Sequence, residues 1–458
     1  MMADSNKPNS KEKNNSLPTP NDFNSHTNLV AGAANEVEYN TADYRDQIKG
    51  QTYGDALAHF LKSSLGSGIL AMPMAFSNGG LLFGGIATLV TGFICAHCVH
   101  ILVKTSQDLC KEVRVPSLSF AETAEKAFEF GPKRLRSWSN FARLFVDYGL
   151  MATYYAAACV YMVFIATSFY EVISYDTTFE MGKRYYIALT IIPCLLIGQI
   201  RNLKWLVPFS AIANVFIVIT FGIVLYYLFN EPLVFSDKPL VANISKIPLF
   251  FSTVIFAMEG IGSVMPVENS MKKPQQFLGC PGVLNVSMVI VVVLYATLGF
   301  FGYVRYGNGV KGSITLNLEK GDAWADTAKI LMAVAILFTY GLQFYVPNEI
   351  LWKKISHKFN EKNHNIVQIL LRAGIIVVSG CIGIALPNLE LFINLVGAIF
   401  FSLLGILVPS VCETVYLWPD RFGSFKWILW KNIFLCAFAI FALVSGSTVS
   451  IIKIAEEL

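Results

Sequence analysis

Apolar runs recur along this chain from about Gly54 to Ile452, separated by short charged or turn-forming segments. Each run is close to the ~20 residues that an α-helix needs to cross the hydrocarbon core of a bilayer. Charged residues make up only 14% of the chain, whereas a soluble domain carries roughly 25%. Because a segment in lipid must satisfy its own backbone hydrogen bonds, the chain is predicted to be an all-α polytopic membrane protein.

Windows of ~20 apolar residues predict eleven transmembrane helices that follow an amino-terminal tail. Residues 1–50 are rich in Asn, Ser, Lys and Pro and are predicted to be a disordered cytoplasmic tail, whereas residues 51–458 are predicted to form the transmembrane domain. The tail has no apolar segment typical of a cleaved signal peptide, so we expect the first span to drive membrane insertion. The predicted spans are 54–76, 81–103, 138–172, 185–200, 204–229, 247–268, 282–303, 324–352, 366–386, 389–417 and 426–452.

The distribution of Lys and Arg predicts the orientation of these spans. With the amino terminus in the cytoplasm, the cytoplasmic segments hold 22 Lys and Arg residues and the opposite segments hold 8. The positive-inside rule supports this orientation and places the carboxyl terminus outside the cell or in a lumen. On that opposite side Asn243 begins an Asn-Ile-Ser sequon, so it is a predicted glycosylation site, although it lies close to the sixth span.

The largest predicted cytoplasmic loop, residues 104–137, contains a pattern typical of a short amphipathic helix. Ser117 or Ser119 can cap its start, and four apolar residues fall on one face: Phe120, Ala124, Ala127 and Phe128. We expect this helix to lie on the inner membrane surface, and a plain connector is the alternative.

Two interactions are predicted in other spans. Arg143 and Asp147 are four residues apart in the third span, a spacing that favours an ion pair between them. In the tenth span, Asn394 and Ser402 flank Gly397 and are expected to face the core, where polar side chains form hydrogen bonds between helices.

Glycine and proline interrupt the first span within the stretch HFLKSSLGSGILAMPMAFSNGG, residues 59–80. Such a break leaves backbone N–H and C=O groups free at mid-depth, which is tolerated only inside protein or beside a wet cavity. The sixth span is interrupted in the same way. Two breaks five spans apart indicate a five-plus-five inverted repeat with a site at its interface. The interrupting residues are Gly66, Ser67, Gly68 and Pro73 in the first span, and Gly260, Gly262 and Pro266 in the sixth.

A polar stripe leads into the first break, because Asp55, His59, Ser63 and Ser67 recur every four residues. Ionisable side chains within a span usually face an interior cavity or a partner. Histidine is also the side chain that takes up a proton near neutral pH. His59 is therefore predicted to be a proton-coupling residue, and an interior histidine that only forms packing hydrogen bonds is the alternative.

Three stretches resemble the amino acid/auxin permease superfamily: GSGILAMPMAFSNGG in the first span, FAMEGIGSVMPVEN in the sixth and TYGLQFYVPNEI in the eighth. Within it, they are most similar to the proton-coupled amino acid transporters of solute carrier family 36, insect members included. The resemblance covers residues 50–458 and implies an eleven-helix fold that moves small neutral amino acids, such as alanine, glycine and proline, with protons.

The resemblance also implies roles for particular residues. The family's first-span histidine, which is thought to take part in proton coupling, falls on His59, and its acidic residue before the sixth-span break falls on Glu259. Its glycine-rich break falls on residues 66–68. One departure concerns cysteine: vertebrate members have a cysteine pair that joins outer loops, whereas no cysteine of this chain falls in a predicted outer segment.

We expect the substrate to lie between the two breaks. The N–H groups at the start of a half-helix suit a carboxylate, and the carbonyls at the end of a half-helix suit an ammonium group. The carboxylate would meet N–H groups at residues 66–68, and the ammonium group would meet carbonyls at residues 256–259. The predicted substrate-binding residues are Ser63, Gly66, Ser67, Gly68, Phe256, Ala257, Gly260, Gly262 and Tyr345, and the predicted proton-coupling residues are His59 and Glu259.

Other classes of function have less support in the sequence. The chain has no Walker loop, nucleophile elbow or H-E-x-x-H motif, so we expect no enzyme, no nucleic-acid partner and no cofactor besides the coupling proton. The segment CAHCVH, residues 95–100, has the C-x2-C spacing of a metal site, but it lies inside a span and is predicted to be helix packing.

Three alternatives to proton-coupled transport remain. The chain could be an amino-acid sensor that signals to a cytoplasmic partner through its tail, a transporter coupled to sodium, or a pore. Both the plasma membrane and an endolysosomal membrane would suit proton-driven movement into the cytosol.

Overall fold

The computed structural model describes residues 40–45, 50–64, 66, 68–176, 181–235, 237–258 and 260–457. These residues form α-helices, short 3-10 turns, one π-helical segment and a single isolated bridge between Gln51 and Met271. The prediction of an all-α chain is therefore confirmed.

Sixteen α-helices are present in the described residues, and most of their limits lie within a few residues of the predicted spans. In chain order they are α1 (Tyr53–Ser64), α2 (Gly68–Gly79), α3 (Leu81–Val113), α4 (Phe120–Glu129), α5 (Ser139–Asp176), α6 (Lys183–Gly198), α7 (Leu203–Phe229), α8 (Ile247–Ala257), α9 (Ile261–Ser270), α10 (Gln275–Leu278), α11 (Val283–Tyr306), α12 (Ala323–Ile355), α13 (His364–Ala385), α14 (Leu389–Val396), α15 (Val408–Leu417) and α16 (Trp427–Glu457).

Nine helical segments in the described part of the chain are long and apolar enough to cross a membrane. The halves α1 and α2, with 12 residues each, and the 16-residue α6 are shorter, but they coincide with the first and fourth predicted spans. Together these elements give the predicted eleven-span architecture. The first span is broken between α1 and α2, and the sixth is broken between α8 and α9.

The third helix shows why the hydropathy pattern misses some helix ends. The second span was predicted to end at residue 103, whereas α3 continues to Val113 and ends where Arg114 adopts the left-handed conformation, with φ of 59°. The extra residues include Lys104, Lys111 and Glu112, which a hydrocarbon core excludes but a helix readily accepts. Hydropathy therefore indicates which part of a helix crosses the hydrocarbon core and not the full length of the helix.

The amphipathic helix predicted in the first long loop is α4. Ser119 caps it, because its hydroxyl accepts from the backbone N–H of Glu122 while the Glu122 carboxylate accepts from Ser119 N–H at 2.9 Å. Its apolar face, which includes Phe120 and Ala124, is buried against α3, α5 and α15. The helix therefore packs on protein, which corrects the expectation that its apolar face lies on lipid.

The predicted ion pair between Arg143 and Asp147 is wrong. Arg143 pairs with Glu125 of α4 at 2.9 Å, and Asp147 pairs with Lys354 of α12 at 2.8 Å. Both charged side chains of α5 thus pair with neighbouring helices, Arg143 with α4 and Asp147 with α12. An i,i+4 spacing allows a pair on one helix, but it cannot exclude a partner that another element brings near.

The tenth span contains an irregularity that the sequence pattern did not predict. Residues Gly397–Leu407 form a π-helix between α14 and α15, and Gly397 lies directly against the backbone of Ser252 in α8. One turn earlier, Asn394 accepts a 2.5 Å hydrogen bond from Thr253 of α8, which confirms the predicted interhelical contact. The Ser402 hydroxyl instead donates to the Ala398 carbonyl within its own helix.

A buried ion pair fixes the segment before α1 to the end of α9. Arg45 donates to both carboxylate oxygens of Glu268 at 3.2 Å, and to the backbone carbonyls of Glu268 at 2.5 Å and Pro116 at 3.1 Å. Gln107 of α3 donates to the same carboxylate at 2.8 Å. Both charged side chains are almost fully buried, so their charges depend on these partners. Residues 40–45 were predicted to lie in the disordered tail, whereas they form a short 3-10 turn that Arg45 fixes to the helices.

Replacing Arg45 with Ala is expected to destabilise the protein by about 3 to 5 kcal/mol, because it leaves the Glu268 carboxylate buried without a counter-charge. Thermal unfolding of the detergent-purified protein measures this loss. Adding Glu268→Gln to Arg45→Ala should recover part of the stability, since no unpaired charge remains. Lys126→Ala, which breaks the exposed pair with Glu129, is the control and should cost about 0 to 1 kcal/mol. Equal losses in the two single variants would contradict the prediction.

Candidate functional site

The two helix breaks touch each other through their backbones. α1 ends at Ser64 and α2 begins at Gly68, while α8 ends at Ala257 and α9 begins at Ile261. A Cβ atom placed on Gly68 would lie 2.7 Å from Ala257 Cα and 2.8 Å from the Ala257 carbonyl oxygen. Real Cβ atoms do not approach backbone so closely, so only glycine permits this contact.

Four half-helix ends therefore converge at one place. The amino ends of α2 and α9 present backbone N–H groups, and the carboxyl ends of α1 and α8 present backbone C=O groups. Each amino end carries partial positive charge and each carboxyl end carries partial negative charge. This arrangement offers sites for an anionic group and a cationic group without any charged side chain.

Some of these polar groups already have partners. The Tyr295 hydroxyl of α11 donates to the Ser64 carbonyl at the end of α1. Ser263 in the first turn of α9 donates to the Gly260 carbonyl at 2.8 Å, and its hydroxyl oxygen also contacts the Ser63 hydroxyl. Since Ser263 uses its proton on Gly260, the Ser63 hydroxyl donates in the contact between the two serines. Ser63 thus ties the two breaks together.

The glycines at the breaks have different surroundings. A Cβ atom on Gly66 would meet no described atom within 4 Å, so free space borders that residue. A Cβ atom on Gly260 would lie 3.3 Å from the Ser64 hydroxyl, and one on Gly262 would meet the Tyr154 hydroxyl of α5. Gly68 is therefore needed for the backbone contact, Gly260 and Gly262 lie close to side-chain hydroxyls, and Gly66 borders space that a small molecule could occupy.

The polar stripe of α1 lies on the exposed side of that helix. His59 and Ser63 are exposed, whereas Phe60 and Ser64 on the opposite side are buried. Lys62 extends from the stripe and donates to Ser210 of α7 at 2.8 Å. The stripe thus forms an accessible polar surface that ends at the break and runs beside α7 and α9.

Asp55 has a different role from the rest of the stripe. Its carboxylate accepts from the Thr52 backbone N–H at 3.1 Å and from the Thr52 hydroxyl at 2.7 Å. These bonds satisfy groups at the start of α1, as a capping residue does. Asp55 therefore caps the amino-terminal end of α1.

The remaining predicted site residues are placed as follows. Phe256 is buried and packs edge-on against Phe401 of the π-helix, with ring centroids 5.8 Å apart. Tyr345 lies on α12 near the charged groups of Glu349 and Arg372. Ser67 and Glu259 lie outside the described residues.

Sequence reasoning missed three residues that contact the breaks, namely Tyr154, Ser263 and Tyr295. Ser263 stands next to Gly262 in the interrupted stretch, so its position in the motif could have suggested it. Tyr154 is one of five tyrosines in the third span, and no pattern distinguishes it from the others. Tyr295 stands in an apolar run of α11, where nothing in the sequence indicates its partner.

A separate polar cavity of about 390 Å³ lies where α5, α6 and α14 end or begin on the predicted outer side. None of its lining residues belongs to either break. Glu171 in its wall is paired with Lys311 at 2.9 Å and with Lys320 at 2.8 Å. The cavity is thus lined in part by paired charges and is distinct from the meeting point of the half-helices.

Asn243, the predicted glycosylation residue, is exposed and stands four residues before α8 begins. Its side-chain oxygen accepts from the Ser245 backbone N–H at 3.1 Å and from the Ser245 hydroxyl at 3.2 Å. The acceptor Asn and the Ser of its sequon thus bond to each other, and glycosylation stays a prediction.

Comparison with known proteins agrees with this geometry. The family model described as "Transmembrane amino acid transporter protein" matches residues 49–453. The "Proton-coupled amino acid transporter-like protein pathetic" of Drosophila melanogaster is 42% identical over 407 residues, covering 89% of this chain and 86% of that protein. The "Probable amino acid transporter skat-1" of Caenorhabditis elegans is 24% identical over 397 residues, covering 84% of this chain and 86% of that protein.

Among solved structures, the inward-facing conformation of Mhp1 matches with a TM-score of 0.52 at 10% sequence identity. The match covers 89% of this chain and 91% of Mhp1. At 10% identity this match supports the fold alone. That fold is an inverted repeat in which two broken helices cross.

The variants Gly66→Ala and Gly68→Ala form a matched pair that tests the contact between the breaks. Gly68→Ala should lower the thermal midpoint and the yield of monodisperse protein, because its Cβ would overlap the backbone of Ala257. Gly66→Ala should remain close to wild type in both measurements, because its Cβ enters free space. If the two variants lose the same amount of stability, the breaks do not touch as described.

Proposed function

The chain belongs to the transmembrane amino acid transporter family, and we propose that it carries small neutral amino acids into the cytosol together with protons. The contact between Gly68 and Ala257 is the observation that carries this proposal, because it brings oppositely polarised helix ends to one point. In this proposal, residues 51–458 are the transport domain and residues 1–50 are a cytoplasmic tail.

A zwitterion suits the meeting point of the four half-helix ends. Its carboxylate would accept hydrogen bonds from N–H groups at residues 66–68, where α2 begins, and the partial positive charge of that helix end would favour it. Its ammonium group would donate to carbonyls at residues 256–259, where α8 ends. Backbone groups of this kind recognise the part common to all amino acids and leave selection to the side-chain space.

The space beside the breaks favours a small side chain. Gly68, Gly260 and Gly262 are packed closely against Ala257, Ser64 and Tyr154, which leaves the free space next to Gly66. Alanine, glycine and proline fit this description. A long or charged side chain would have to displace the aromatic and serine groups that close the site.

His59 is proposed to bind the coupling proton. It is exposed on the α1 surface that leads to Ser63 at the break, so a proton taken up there would lie one helical turn from the site. An imidazole can gain and lose a proton within the physiological range. Glu259, adjacent to the second break in sequence, is proposed as the second proton-coupling residue.

Alternating access requires that one side of the site closes while the other opens. On the predicted cytoplasmic side, we propose that Arg45 and Glu268 provide one closing contact, because they join the segment before α1 to the end of α9. Gln107 adds a third contact to this buried cluster. Opening on that side would separate the pair, and the two charges would then be solvated by the water that enters.

The working membrane is proposed to be the plasma membrane, an endolysosomal membrane or both, with the amino terminus in the cytoplasm. An acidic exterior and an acidic lumen would drive the same direction of transport. The sensor alternative depends on the amino-terminal tail, and residues 1–39 of that tail lie outside the described residues. We propose transport alone.

Uptake of labelled alanine into proteoliposomes tests the coupling. Wild-type protein should take up more alanine at an external pH of about 5.5 than at about 7.5, because the larger inward proton gradient drives coupled uptake. His59→Ala should lose this stimulation by acid. Replacing sodium with choline at fixed pH should leave the uptake unchanged.

His357→Ala is the matched control, since it removes a histidine from the loop after α12 and should retain the pH response. Acid stimulation that survives in His59→Ala would transfer the proposed role to Glu259. Saturable alanine uptake that ignores the pH gradient in wild type would refute proton coupling altogether.

The size of the substrate is tested by Gly66→Ala. The added methyl group enters the free space beside the break, so it should exclude larger substrates before smaller ones. Relative to glycine uptake, proline uptake should fall by roughly tenfold, the usual effect of one misplaced methyl group in a fitted pocket. An equal loss for both substrates would show that Gly66 does not border the substrate side chain.

A further inference from the structure

A groove of about 490 Å³ lies between α3 and α11, on a wall of the bundle away from both breaks. Its floor contains the small residues Gly92 and Ala96, and Gly92 packs directly against Val292 of α11. The two helices approach closely at Gly92, and the side chains at this place, those of Ala96 and Val292, are small. The volume is typical of a cavity that holds one small organic molecule.

The sides of this groove face outward at the depth of the hydrocarbon core. Phe93 is 71% exposed and Val289 is 64% exposed, although both lie within spans of high hydropathy. In a bilayer such apolar side chains are covered by lipid and not by water. A lipid is therefore the class of molecule that can reach this groove from the bilayer.

One end of the groove is polar. His97 and His100 of α3 lie there with Asn285, which stands in the first turn of α11. α3 approaches the membrane surface toward its carboxyl end, and α11 leaves the same surface at its amino end. The polar end thus lies toward the headgroups, and the apolar end, at Leu89 and Val293, lies deeper.

His97 has unused hydrogen-bonding capacity at this place. Its Nε2 atom is buried and has no hydrogen-bond partner among the described residues. The nearby Glu413 carboxylate accepts from Lys431 at 2.8 Å and from Asn432 at 2.9 Å, both at its Oε2 atom, and forms no bond with His97 Nε2. A buried ring nitrogen without a partner is costly, and a turn of the half-buried imidazole toward the groove would let a hydroxyl group of a bound molecule satisfy it.

The length of the groove fits one leaflet. From Leu89 to His100 the helix rises about 16 Å, at 1.5 Å per residue, which is roughly half of the ~30 Å hydrocarbon core. A molecule in the groove would therefore extend from the headgroup level to the middle of the bilayer.

We propose that this groove binds a sterol, with its hydroxyl at His97, His100 and Asn285 and its fused rings on the floor at Gly92 and Ala96. A sterol spans one leaflet, has one smooth rigid face and has a single hydroxyl. These properties match the length, the small-residue floor and the small polar end of the groove. A phospholipid is less suitable, because no Lys or Arg lines the groove to pair with its phosphate.

The interpretation also accounts for the segment CAHCVH. Its two histidines resemble metal ligands in sequence. Among the described residues, however, no three or more His, Cys, Asp or Glu side chains are placed together so that they could hold a metal ion. The histidine rings lie stacked at 6.2 Å along one side of α3, where they line the groove.

A photoreactive, alkyne-tagged cholesterol analogue tests the proposal with the full chain in phosphatidylcholine nanodiscs. Peptide mapping should find label on residues 89–100 and 285–293, and unlabelled cholesterol should compete it away. Ala96→Phe fills the floor and should abolish most of this labelling. Val90→Phe places the same ring on an exposed position of α3 outside the groove and should leave labelling unchanged.

The polar end is tested by His97→Leu, which leaves the floor open. Wild type should bind cholesterol about 2- to 10-fold better than cholestene, which lacks the hydroxyl group, the difference expected for one neutral hydrogen bond. His97→Leu should reduce that preference. Size-exclusion profiles and thermal midpoints show whether each variant is folded.

Three outcomes would overturn the proposal: no label on these segments in wild type, unchanged labelling of a folded Ala96→Phe variant, or equal competition by phosphatidylglycerol. The third would assign the groove to a phospholipid.

Discussion

The contact between Gly68 and Ala257 is the constraint on which the rest of the structure depends. Two spans give up helical hydrogen bonds near their centres, and free backbone groups in a bilayer are tolerated only when protein or a wet cavity surrounds them. Bringing the two breaks into contact lets each shield the other, and only a residue without a Cβ atom permits it. The surrounding helices therefore pack so that these two points meet.

The elements around the breaks replace part of what the broken helices lose. Tyr295 donates to the Ser64 carbonyl, and the pair of Ser63 and Ser263 joins α1 to α9. At the outer end of α2, Gly80 adopts φ of 90° and lies against the backbone of Leu240, while the outer loop accepts hydrogen bonds from the first N–H groups of α3. At the other end, Arg45 and Glu268 hold the segment before α1 against α9. The broken region is thus tied at its middle and at both ends.

The sequence predicted those features that composition and local chemistry determine. The span limits follow from hydropathy, the start of α4 follows from the Ser119 capping box, and the breaks follow from the glycines around residues 66–68 and 260. Proline was the wrong signal, because Pro73 and Pro266 lie inside α2 and α9 and do not interrupt them. Partner choice was not predictable in this way. Arg143 and Asp147 pair with other helices, and Tyr154 reaches Gly262 across a large sequence separation, because such contacts depend on packing that no local pattern records.

Helix α11 connects the proposed transport site with the proposed sterol site. On the side toward the breaks, Tyr295 bonds to Ser64, and Gly302 allows Pro73 of α2 to approach so closely that a Cβ atom there would lie 2.8 Å from Pro73 Cβ. On the side toward lipid, Val292 contacts Gly92 at the floor of the groove. Both sets of contacts are close enough that neither side of α11 can shift without disturbing its partner. A rigid molecule in the groove would therefore restrain the helix that supports the first break, which gives membrane composition a physical route to the site.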